Sequence, residues 1–148
     1  LKRTGVPIYD NATALTFPRI NAWNAVNAVP YIRKTGTFFP GNTITIDVSD
    51  PMNPGGIYFT LLSLGNVPGI ALPNGLVIPI NPDFIFSFSI QQSPIFVNNI
   101  GLLDSNGRAT TTLYIPNIPG IEVFTIYSSF ITANNSNEII AIGNSITL

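Results

Sequence analysis

The chain has no histidine and no cysteine, and its six basic and seven acidic residues leave only 9% of 148 positions charged. Each shortage excludes a kind of chemistry. Without imidazole, no side chain titrates near neutral pH at its ordinary pKa, and the commonest transition-metal ligand is missing. Without a thiol there is no disulfide, no thiolate nucleophile and no thiolate-held metal. Seryl catalysis lacks its usual base, and no serine sits in a Gly-x-Ser-x-Gly elbow. The reading is therefore a non-enzyme with no catalytic residue, no metal and no cofactor. Runs of 18 or more apolar residues are also lacking, so no membrane span is expected. Charge falls far below the quarter usual in globular domains. Seventeen asparagines and many Ser and Thr supply polarity instead.

What is present is strand and turn material. The length suits one domain, able to bury roughly 68–70% of the surface of its unfolded chain. Thr43-Ile44-Thr45-Ile46-Asp47-Val48 alternates with period 2, which puts Ile44, Ile46 and Val48 on one face. Ile57 to Leu64 is apolar on both faces, as an interior strand is. Phe84 to Ile90 alternates again, with Phe84, Phe86 and Phe88 on one side. Asp104-Ser105-Asn106-Gly107 reads as a hairpin turn between Ile100–Leu103 and Arg108–Ile115. Glu122 to Thr132 reads as one long strand, and Glu138–Ile142 and Asn144–Leu148 close the chain. Short strands at this spacing predict an all-β fold from residue 37 to 148, an antiparallel β-sandwich or jelly roll. Ile44, Ile46, Phe59, Leu61, Phe86, Leu113, Phe124 and Ile126 are the expected core.

Residues 1–36 read as an irregular N-terminal arm. Val6, Ile8, Tyr9, Leu15, Phe17, Ile20 and Trp23 are its apolar anchors, and any helix is expected within Ile20–Val29, where an Asn-Ala-x triplet repeats. Charge is unevenly spread. Lys2, Arg3, Arg19, Arg33 and Lys34 face only Asp10 in the first 34 residues, whereas six acids face only Arg108 afterwards. The cations are scattered, without the Lys/Arg runs of a nucleic-acid binder, so they are expected to meet acidic protein surface. Asn11 and Asn134 begin formal glycosylation sequons.

From Gly36 onward the chain resembles a β-rich module near the C-termini of secreted bacterial proteins. The likeness rests on Pro40-Gly41 leading into the alternating strand and on Leu62-Ser63-Leu64-Gly65. Its most distinctive part is Leu103-Asp104-Ser105-Asn106-Gly107-Arg108-Ala109, followed by Ile115-Pro116, Pro119-Gly120 and Asn144-Ser145-Ile146-Thr147-Leu148. Where relatives commonly carry glutamine, this chain has Tyr127-Ser128-Ser129-Phe130. The resemblance implies a secreted β-sandwich and transfers no functional residue.

Candidate sites compete with simpler roles. Asp104 to Gly107 has the oxygens of a Ca²⁺ loop but lacks the bidentate Glu, and reads as an Asx turn. Asp47, Asp50 and Asn53 read as a turn cap rather than a glycosidase carboxylate pair. The aromatics Phe38, Phe39, Tyr58, Phe84, Phe86, Phe88 and Phe96 read as packing rather than a stacking platform for sugars or bases.

Two functions stay open. One is a structural subunit of an extracellular polymer (fibre, tube, sheath or coat) joined by its arm and sandwich edges. The other is a non-catalytic binding or display module of a larger secreted protein, at the cell surface and in contact with glycan or cell envelope. Either fits a processed chain or a fragment from which an export signal has been removed.

Overall fold

The computed structural model describes residues 5–19, 22 and 28–148. Period-2 alternation becomes sheet wherever it was read in Thr43–Val48 and Arg108–Ile115. Strands β3 (Tyr31–Thr35), β4 (Thr43–Ser49), β8 (Phe96–Val97) and β10 (Arg108–Tyr114) form a four-stranded sheet in the order β3-β4-β10-β8. Strands β5 (Ile57–Ser63), β9 (Ile100–Leu102), β11 (Tyr127–Ala133) and β12 (Ile139–Ile142) form the second, in the order β12-β11-β5-β9. Strand β13 (Ile146–Thr147) continues along the edge of β11 beyond β12. All pairs are antiparallel. The fold is an all-β antiparallel sandwich.

The inner faces meet in one apolar core. Ile32, Ile44, Ile46, Val48 and Leu113 come from the first sheet; Tyr58, Leu62 and Phe130 come from the second. A buried polar bridge joins the layers. Thr60 and Thr111 hydroxyls lie 2.8 Å apart, and Thr111 donates to the Asn98 carbonyl at 2.9 Å, which the Tyr58 hydroxyl also reaches at 2.6 Å. Burial raises the Tyr58 pKa.

The second sheet is covered on its outer face too, which is why β5 is apolar on both sides. Between Leu64 and Ile90 the chain leaves the sandwich, forms the small hairpin β6 (Ile70–Ala71) and β7 (Val77–Ile78), then the helix α1 (Phe84–Ser89). Leu61, Ile78 and Ile80 form a second buried cluster there, with Phe59, Phe86, Tyr127 and Ile131 packed against it.

Several expectations are corrected. Phe84–Ser89 is a helix, not a strand; the helix expected within Ile20–Val29 falls almost wholly outside the described residues. Asp83 explains the change: its carboxylate accepts from Phe86 N at 2.9 Å as an N-cap, and Pro82 precedes it. Phe86 is consequently half-buried between helix and sheet, as Phe59 is beneath it. Glu122–Thr132 is not one strand. Gly120 turns at φ 89°, Ile121–Val123 forms a 3₁₀ turn, and β11 begins only at Tyr127, leaving Phe124 exposed. The sandwich starts at Tyr31, because β3 pairs with β4 from Tyr31↔Ser49 to Thr35↔Thr45. Finally, Asp104–Gly107 does not close a hairpin between paired strands: β9 belongs to the second sheet and β10 to the first. The turn carries the chain across the sandwich.

Asp83 does more than cap. Ser63 Oγ and Leu64 N donate to its other oxygen at 2.8 and 2.7 Å. Desolvation works to raise its pKa, but these bonds and the cap outweigh it, and the pKa is lowered. A carboxyl held below its unfolded value adds stability above roughly pH 4 that is lost as pH falls through the lower folded value. Asp83→Ala is therefore expected to cost about 0.5–2 kcal/mol at pH 7 and to flatten the acid limb of a stability-versus-pH curve. An unchanged acid limb would remove Asp83 as its source.

Candidate assembly surfaces

The arm is regular where it is described. Strands β1 (Val6–Asp10) and β2 (Leu15–Arg19) form an antiparallel hairpin in register from Val6↔Arg19 to Asp10↔Leu15. Its turn is tied by Asp10, whose carboxylate accepts from Thr13 Oγ1 at 2.7 Å and Ala12 N at 2.9 Å; these bonds lower its pKa. Alternation and register put Val6, Ile8 and Leu15 on one face. Nothing described covers that face: Val6 is 46% exposed, Ile8 43% and Leu15 55%, and Tyr9 on the opposite face is 59% exposed. A lone two-stranded hairpin is at best marginally stable in water. Ile20, Trp23 and Arg3 lie outside the described residues, as do the side chains of Phe17 and Arg19 and nearly all of the Asn-Ala-x repeat.

Lys2 is likewise outside the described residues, and the remaining two arm cations belong to the sandwich. Arg33 and Lys34 sit on β3, and Arg33 meets Asp47 of its own sheet at 3.3 Å. Thr110 Oγ1 donates to the same carboxylate at 3.1 Å. An exposed pair of this kind contributes about 0–1 kcal/mol.

A second surface was not read from the sequence. Where β5 and β10 end lies an open groove of about 400 Å³. Leu62, Leu113, Ile115 and Ile126 form its buried floor. Phe38 follows β3, Ile85 and Phe88 come from α1, and Ile121 from the 3₁₀ turn. At its mouth stand Phe84, 69% exposed, and Phe124, 54% exposed. Among the described residues no charged side chain lines it. The departures of 84–89 and 121–126 from the strands expected there create this groove, so alternation alone gave no signal for it.

The remaining candidates have local roles. Asp47 and Asp50 do not converge: Asp50 is fully buried, accepts from Asn53 Nδ2 at 2.7 Å and caps the turn. Asp104 Oδ1 accepts from Asn106 N and Arg108 N, both at 2.8 Å, which closes an Asx turn. Asn11 is exposed in the β1–β2 turn. Asn134 is spent on its own turn: Nδ2 donates to Glu138, and Oδ1 accepts from Ser136 N and Glu138 N. Among the described residues no three His, Cys, Asp or Glu gather as metal ligands, and no helix is long and apolar enough to cross a membrane.

No protein-family model, curated protein or solved structure matches the chain.

Proposed function

We propose that this chain is a structural subunit of an extracellular polymer, joined to its neighbours through the N-terminal hairpin. The observation that carries the reading is the uncovered aliphatic face of Val6, Ile8 and Leu15. Full burial of an exposed side chain of this kind is worth roughly 1.5–3 kcal/mol; these three are about half-covered already, so a hairpin left in water forgoes about half of that for each. Docking on a neighbour is a head-to-tail contact, which propagates unless it closes into a ring. A surface with few charges suits large contacts, because little ionic hydration is lost on burial. An extracellular setting accords with the low charge and with a fold that needs no thiol chemistry.

The test is deletion of residues 1–20. The intact chain should grow in size with concentration by light scattering and show ordered assemblies by electron microscopy. The truncated chain should keep a β-type circular dichroism spectrum and stay monomeric. High salt alone should not dissolve the assemblies, since apolar burial dominates and exposed ion pairs add only about 0–1 kcal/mol each. A truncation that lowers Tm and leaves oligomeric state unchanged would place the hairpin on its own domain and defeat the reading. A stable monomer that binds polysaccharide would instead favour a display module.

A further inference from the structure

We propose that the open groove between the sheets is the receptor for the hairpin of a second copy of this chain. The inference rests on the arm-mediated assembly proposed above and names its acceptor. Among the described residues the groove is lined by apolar side chains without a charged group, so its occupant must itself be apolar where it enters. An acyl chain with an anionic head is a poor fit. Among the described residues it finds no cation in the lining, and the nearest charges along the chain are both acids, Asp83 beside Phe84 and exposed Glu122 beside Ile121. A segment with an aliphatic face and flanking cations fits better. The hairpin is such a segment: Val6, Ile8 and Leu15 share a face whose one acid, Asp10 at the turn end, is engaged by Thr13 and Ala12, and the chain before Tyr31 carries Lys2, Arg3 and Arg19 against Asp10 alone. The sandwich from Tyr31 onward has the opposite balance, six acids against three cations.

Among the described residues both surfaces are uncovered, since Val6, Ile8 and Leu15 are exposed while the groove mouth at Phe84 and Phe124 stands open. One copy thus offers an insert and a receptor at separate places, the arrangement a propagating head-to-tail contact requires.

The absence of native cysteine makes the test direct. Two single-cysteine forms, Ile8→Cys and Phe124→Cys, are mixed at an assembling concentration and oxidised. A disulfide needs Cα atoms within about 7 Å, so each product reports proximity. The mixed dimer should exceed that formed by Ile8→Cys with Thr45→Cys, on the outer face of the four-stranded sheet, by at least about tenfold, the factor that 1.4 kcal/mol supplies. Light scattering on the same samples separates the two ways of failing. Assembly without that excess overturns the groove as receptor and leaves arm-mediated assembly standing; no assembly overturns both. An intrachain bridge in the Ile8→Cys/Phe124→Cys double variant at high dilution shows docking in cis and also overturns the proposal. As a non-covalent check, Phe84→Asp places a charge at an exposed mouth position and should abolish assembly while leaving the β spectrum intact. Undiminished assembly by this variant counts against the groove.

Discussion

Gly143→Ala should destabilise the sandwich by about 1–3 kcal/mol, the usual cost of overpacking a filled core. Phe130, fully buried at the centre of β11, lays its ring over Gly143. An added Cβ would overlap the Cδ1 and Cε1 atoms of that ring. The backbone cannot retreat easily. Gly143 N donates to the Phe130 carbonyl at 2.8 Å, and Ser129 Oγ donates to the Gly143 carbonyl at 3.0 Å, so the kink between β12 and β13 is bonded to the strand it borders. Phe130→Ala should cost more, about 3–5 kcal/mol, because it empties the middle of the core. The two positions share one volume. Gly143→Ala combined with Phe130→Leu should therefore cost less than the sum of the single changes, with a coupling of about 0.5–3 kcal/mol. Urea unfolding of the four proteins measures this. A Gly143→Ala midpoint indistinguishable from the parent would mean that the ring and the kink are not packed as described.

Gly107→Ala should cost a similar or larger amount for a different reason. Gly107 has φ 72°, a left-handed value that costs a residue with a Cβ about 1–2 kcal/mol. A Cβ there would also overlap the Asp50 carbonyl and come within 2.8 Å of Pro51 Cα. These are backbone atoms, pinned by the 2.7 Å bond from Asp50 N to the Gly107 carbonyl, so no rotamer change relieves the clash. The turn links β9 in one sheet to β10 in the other, and its displacement would disturb both layers. The combined loss is expected at about 2–4 kcal/mol, near the top of ordinary point-mutation effects. Gly55, at φ 74° with nothing near its Cβ direction, supplies the control. Gly55→Ala should lose only the conformational part. Equal midpoints for the two variants would show that contact with Asp50 adds nothing.

The strands that were legible are those whose face is encoded by period 2. Ile44, Ile46 and Val48, with Leu113 opposite, are buried as the alternation requires. Phe84–Ser89 shows where that signal fails. A six-residue run with three phenylalanines satisfies a strand and a short helix alike, and the Asp83 carboxylate on Phe86 N decides for the helix. The Asn-Pro-Asp lead-in was the available sign. Glu122–Thr132 failed similarly, since Pro119-Gly120 sets up a 3₁₀ turn before the strand can begin. The hairpin's apolar residues were legible as a group that must be covered. Its register was not, because the turn at Asn11–Ala14 lacks the Asn-Gly or Asp-Gly signature of a tight hairpin.

By itself the sequence determined which residue types are available, which side chains of each strand share a face, and where the chain must turn. These are local properties, set by covalent chemistry, alternation and the φ preferences of Gly, Pro and Asx. Tertiary structure decided which strands are neighbours. The Asx turn at Asp104 has the same local bonds whether the strands beyond it pair or part, and only the competition of β4 for β10 and of β5 for β9 sends them to different sheets. The same long-range packing brought the excursion from Leu64 to Ile90 over one face of the second sheet and left the groove open at the end of the other. Burial is a property of what arrives from a distance, and no window of sequence contains it.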